Sequence, residues 1–180
     1  MKVLKWIGIG FAALVALVLV CSIFVGNDSS SGSASAPAAP AKTYGIGDTL
    51  NDGKVALIVT NIETKGSVGD EYSNTAASEG AVYVAVQYKY KNVSGSAIGM
   101  FEKPKISLYD PSGTAYEEDI NATTSYSSQV GIDEKIISDL NPGITVKSCT
   151  VFEVSKELFN QTGWRLILVS DDVSFTINLK

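Results

Sequence analysis

The chain has 180 residues, 45% of them hydrophobic, and a formal net charge of −5. It contains no histidine, which removes Ser-His-Asp and Cys-His catalysis and the commonest nitrogen ligand of zinc. Eleven of the 14 basic and 18 of the 19 acidic residues lie from residue 43 onward; the resulting charge of −7 repels phosphate backbones, so nucleic acid is not an expected partner.

Lys2 and Lys5 open the chain, and residues 6–25 then run from Trp6 to Val25 without a charge. Twenty helical residues at a rise of about 1.5 Å span about 30 Å, the thickness of a bilayer's hydrocarbon core. The lysines on the leading side place the N-terminus in the cytoplasm, so residues 1–26 are expected to be a single-pass signal-anchor in the cell membrane with the rest of the chain extracellular. Two alternatives stand beside it: a lipoprotein with Cys21 lipidated, and a cleaved secretion signal. Residues 27–42 hold only Asn, Asp, Ser, Gly, Ala, Pro and a closing Lys42, too little apolar surface to order the segment, so they read as a disordered linker.

From residue 43 the composition changes to alternating apolar and polar residues, and 43–180 is expected to be one domain. Asn51-Asp52-Gly53 is a turn and residues 55–63 a strand, followed by a polar loop over 64–78. Residues 80–92 form the organising strand: Val82, Val84, Val86, Tyr88 and Tyr90 share one parity and point to the core, while Tyr83, Ala85, Gln87, Lys89 and Lys91 face water. Residues 105–109, the Asp110-Pro111-Ser112-Gly113 turn and residues 115–119 make a hairpin. Residues 121–131 are rich in Ser and Thr and read as irregular. Asn141-Pro142-Gly143 introduces a long strand over 144–154, residues 155–159 suit a helical turn, and strands over 164–169 and 173–179 close the domain. Cys149 reads as a small buried residue, and with Cys21 at membrane depth no disulfide is expected. About 7–8 short strands, with no amphipathic helix outside the anchor, indicate an all-β antiparallel β-sandwich rather than a barrel or an α/β fold.

Several of these segments together resemble a known family. Residues 80–92, the hairpin from Leu108 to Tyr116, the Leu140-Asn141-Pro142-Gly143 turn and the alternating tail are similar to the domain of unknown function numbered 4352. That resemblance implies a bacterial, telokin-like or immunoprotective-type immunoglobulin sandwich carried behind a signal or lipoprotein anchor and a low-complexity stalk. It brings no catalytic residues; Val20 before Cys21 departs from the family's lipid-attachment pattern.

The candidate chemistry is sparse, and no catalytic, cofactor-binding or metal residue is assigned. Glu117-Glu118-Asp119 is the densest acidic cluster; as a strand end it is solvated, and as a weak calcium site Glu117 and Asp119 would need Asp110 from across the hairpin. Tyr72 and Tyr126, in the two polar segments, are the aromatic candidates for recognition. The expected role is a non-enzymatic extracellular binding module, without a cofactor. Its partners would be the membrane through residues 6–25 and an extracellular protein or cell-wall ligand met by residues 65–79 and 121–133. The alternative is a structural accessory of a membrane or cell-envelope complex, with Gly8, Gly10, Ala12, Ala13 and Ala16 lining a close-packed anchor.

Overall fold

The computed structural model describes residues 43–132, 138–170 and 173–179. The expected anchor, linker and Cys21 lie outside them, and among the described residues no helix is long and apolar enough to cross a membrane. In chain order the strands are β1 (Thr43–Tyr44), β2 (Leu50–Asn51), β3 (Val55–Lys65), β4 (Ser67–Val68), β5 (Thr75–Ala76), β6 (Ala81–Asn92), β7 (Lys105–Tyr109), β8 (Ala115–Tyr116), β9 (Thr145–Ser155), β10 (Arg165–Ser170) and β11 (Val173–Asn178); the helices are α1 (Ile120–Val130) and α2 (Lys156–Phe159). One sheet has the order β2-β3-β6-β9 and the other β1-β11-β10-β7-β8, while β4 and β5 pair as a small separate arm.

The alternation of β6 explains the sandwich. Val84, Val86, Tyr88 and Tyr90 are buried with Phe152 of β9, and the same core contains Leu108, Leu166, Leu168 and Ile177 of the facing sheet. Trp164, at the entry to β10, is fully enclosed; its indole N–H donates to the Leu158 carbonyl at 3.0 Å and its ring meets Phe159 at 5.0 Å between centroids. The pairing is antiparallel except at one edge, where β1 lies parallel to β11 with Thr43 opposite Thr176.

Two features depart from the sequence pattern. Residues 120–130 are an α-helix rather than an irregular segment: the Asp119 carboxylate accepts from the Ala122 N–H at 2.9 Å, and Gly131 closes the helix in the left-handed region at φ 66°. That helix covers half of the β6 face expected to meet water. Tyr83 and Ala85 are buried with Val68, Ala122, Tyr126 and Val151 in a second small core, and only Lys89 and Lys91 of that parity stay exposed. The second feature is a bulge in β3, where the register with β6 shifts between Val59 and Asn61. Thr60, whose hydroxyl donates to the Gln87 carbonyl at 3.1 Å, is the extra residue. Without it Glu63 would share the parity of Val55, Leu57 and Val59 and enter the sandwich core. With it, Ile62 packs on the core and Glu63 pairs with Ala85 on the outer face beneath α1.

The strand directions define two ends. β3 starts, β6 finishes and β9 starts at one of them, where the Val93 N–H donates to the Lys54 carbonyl at 2.9 Å and the Asn92 N–H to the Ile144 carbonyl at 3.1 Å. β7 also starts there, so antiparallel β10 finishes and β11 starts there; β1, parallel to β11, is entered from this loop end. The arm and α2 lie at the opposite end, beside the start of β6 and the finish of β9.

Candidate functional site: the arm, the cleft and the loop end

Tyr126, expected in an exposed loop, is fully buried. Ala122, Ser125, Tyr126 and Gln129 share the face of α1 that turns inward or towards the arm, at the spacing of one helical face. The Gln87 side-chain amide donates to the Tyr126 hydroxyl at 2.7 Å, and that hydroxyl donates to Glu63 Oε1. Burial first, and the accepting Glu63 carboxylate second, hold the Tyr126 hydroxyl protonated well above the ordinary tyrosine range. The group is a structural clamp between helix and sheet.

The expected loop over residues 64–78 is instead the β4–β5 arm, and it packs on α1, so the two segments singled out as a surface do come together. The Thr75 and Ser125 hydroxyls lie 2.8 Å apart, and the Gly69 N–H donates to Gln129 Oε1 at 3.1 Å. At the tip, Asp70 Oδ1 accepts from the backbone N–H groups of Tyr72 and Ser73, both at 2.9 Å. Gly69 has φ 115°, and a Cβ there would sit 1.7 Å from the Ser73 carbonyl oxygen, so the turn requires glycine. These contacts order a loop whose one aromatic side chain, Tyr72, is 93% exposed. Next to the arm along the chain is an open cleft of about 820 Å³ between residues 78–81 and 153–157, lined by Glu79, Glu153 and Glu157 with Lys156 and Asn160. Glu153 is held there by accepting from the Ser78 N–H.

At the loop end the organising residue is Asn92, fully buried in spite of its polarity. Its side-chain N–H groups donate to the Ser96 and Leu140 carbonyls at 2.7 and 2.8 Å, and its oxygen accepts from the Ser94 N–H and hydroxyl at 2.9 and 2.8 Å. All four bonding positions of the amide are used, which ties the segment after β6 to the one before β9. The same loops hold out Val93, Met100, Phe101 and Ile144, with Phe101 93% exposed. Glu102 anchors this segment: its carboxylate accepts from the Gly99 N–H at 3.0 Å and pairs with Lys54 at 3.5 Å, and both partners keep it ionised below the usual glutamate range.

A family model for the domain of unknown function DUF4352 matches residues 44–175. The chain belongs to the DUF4352 family. The uncharacterized protein YxkC of Bacillus subtilis is 44% identical over 131 residues, covering 72% of this chain and 73% of that protein. Among solved structures, a conserved hypothetical protein from Bacillus anthracis superposes with a TM-score of 0.67 at 23% identity, covering 76% of this chain and 96% of that one. An uncharacterized β-sandwich protein from Clostridium difficile superposes with a TM-score of 0.54 at 19% identity, covering 81% and 99%. Both likenesses establish the β-sandwich fold.

On this DUF4352 sandwich the acidic candidates are dispersed into local work. Asp119 caps α1, and Asp110 accepts from the Ser112 hydroxyl at 2.7 Å and the Thr114 N–H at 2.8 Å, interactions that hold its carboxyl below the usual range. Among the described residues no group of three His, Cys, Asp or Glu side chains is placed to hold a metal ion. Cys149 is a buried thiol beneath α1, its Sγ 3.9 Å from the Thr123 carbonyl oxygen, as its strand position implied. Sequence reasoning missed Phe101, which lies in a connector with no period; the available signal was a Met-Phe pair beside Lys103 and Lys105 in a segment rich in turn residues.

Proposed function

We propose that this DUF4352 domain is a non-enzymatic binding module, displayed outside the cell and tethered to the membrane through residues 6–25. The partner surface is the end formed by the arm and the acidic cleft. The observation that carries the reading is Tyr72: backbone hydrogen bonds to Asp70 and contacts to Ser125 and Gln129 order the arm, yet its one aromatic side chain is left in water. Ordering a loop costs about 1–2 kcal/mol per residue, a cost offset in advance when the loop is a preformed contact. The cleft beside it presents three glutamates against one lysine, which suits a cationic segment of a partner protein or of the wall. The uncharged run of residues 6–25 behind Lys2 and Lys5 supports the tether and the outward orientation.

The test is site-directed photo-crosslinking in the full chain in its native membrane, with the reactive group at position 72 and, separately, at position 120 on the exposed start of α1. A discrete adduct from position 72 that disappears in a Glu153→Gln/Glu157→Gln background supports the reading. Adducts equal in kind and amount from both positions, or none from position 72, contradict it.

A further inference from the structure

Exposed apolar side chains gather at the loop end, beside a strip of lysines on the β6–β9 face. The domain is acidic overall, yet Lys89, Lys91 and Lys147 stand on the uncovered outer part of the β3-β6-β9 face with no acid among them, and Lys89 lies directly opposite Lys147 across the β6–β9 pair. Like charges directly opposite on neighbouring strands destabilise a sheet. Lys105 projects from the outer face of β7 beside Val169. None of these four lysines is in an ion pair among the described residues. The loops that leave β6 and lead into β7 and β9 hold the exposed Val93, Met100, Phe101 and Ile144, and one continuous set of contacts joins them: Glu102 on Lys54, Lys54 on Val93, and Asn92 on Ile144. The acids of this end are Asp52 at the β2–β3 turn, Glu102 paired with Lys54, Asp139 before Leu140, and Asp171 and Asp172 in the sequence between β10 and β11; none of them belongs to β6 or β9, the strands that carry Lys89, Lys91 and Lys147.

We propose that the loop end is a docking surface for an anionic membrane, with Phe101 and Met100 entering the headgroup region and Lys89, Lys91, Lys105 and Lys147 meeting lipid phosphates. Exposed apolar side chains at the end of a sheet face that carries unpaired lysines are the chemistry that an anionic bilayer surface recognises. The chain supplies the approach as well. β1 is entered from the loop end, and 42 residues of chain precede it in the sequence. The inference deepens the tethered reading above and rests on it for this geometry. It places the arm and cleft at the end facing away from the bilayer.

The experiment is sedimentation of residues 43–180 with vesicles of phosphatidylcholine alone and of phosphatidylcholine with phosphatidylglycerol. This fragment is a fair probe because it carries both cores, and the B. anthracis chain has 96% of its length within the same fold. Expected is binding to anionic vesicles only, weakening as salt is raised. The combined Lys89→Ala, Lys91→Ala, Lys105→Ala, Lys147→Ala variant should bind at least tenfold less, since each lysine near an anionic surface contributes roughly fivefold. Phe101→Ser should lower binding severalfold, with a melting temperature no lower than wild type in both variants. Equal binding to neutral vesicles, no binding to either, or binding indifferent to both variants overturns the proposal. So does capture by soluble polyphosphate as tight as by vesicles and indifferent to Phe101, which would mark a polyanion site. Failure here leaves the Tyr72 crosslink unaffected, so the two readings fall separately.

Discussion

Replacing Tyr126 by phenylalanine tests whether this tyrosine holds the fold or serves recognition. The substitution keeps the ring in its fully buried site and removes only the hydroxyl that joins Gln87 to Glu63. A hydrogen bond to a charged group contributes about 1.5–3 kcal/mol. Glu63 retains Lys65 at 3.6 Å, and its side chain is 34% exposed, so water and the lysine recover part of the loss. The expected cost is therefore about 2 kcal/mol, or about 4–8 °C in melting temperature for a domain of this size. Tyr126→Ala removes the ring as well and should cost about 4 kcal/mol. Urea denaturation of residues 43–180 followed by near-ultraviolet circular dichroism measures both, and the Glu63→Gln/Tyr126→Phe cycle should show coupling of about 1 kcal/mol. A pH signature accompanies it. The folded-state pKa of Tyr126 is raised, so the hydroxyl's contribution is complete below the unfolded value near 10 and is lost as pH rises above it. Wild type should therefore lose stability between about pH 10 and 12 more steeply than Tyr126→Phe does. Costs below about 0.5 kcal/mol for both variants, with parallel alkaline profiles, would refute the clamp.

Two further outcomes follow from the same structure. Val84→Asp places an unpaired carboxylate in the centre of the core, and the domain should show no cooperative unfolding transition; a cooperative mutant would remove β6 from between the sheets. Gly69→Ala forces a Cβ onto the Ser73 carbonyl, so amide exchange over residues 67–76 should rise at least tenfold while that of β6 stays slow. Unchanged exchange in the arm would show that the turn tolerates a side chain.

The strands were legible because burial on one face imposes a period of two, which the second half of β6, from Tyr88 to Asn92, shows without interruption. Residues 120–130 were not, because Asn, Thr and Ser are weak helix formers and the segment is held by packing on Tyr83, Ala85 and Val151. The local signals were present at its ends, Asp119 as a cap and Gly131 as a stop, and the missed helix carried two errors with it. Tyr126 looked exposed, and the second face of β6 looked entirely wet. The Thr60 bulge left no mark in the alternation of residues 55–63, although an acid in phase with a buried row, Glu63, was the clue that the phase had to change. The arm and the loop end were illegible for another reason. They are assembled from segments remote in sequence, joined by side chains such as Ser125 and Asn92 whose partners no pattern reveals.

Hydrogen exchange on the full chain, compared between anionic bilayers and detergent, tests the two-ended arrangement most directly. The bilayer should protect amides of residues 93–104 and 138–144 and leave those of residues 67–76 unchanged. Protection of the arm with an unprotected loop end, or no difference at either end, would contradict it.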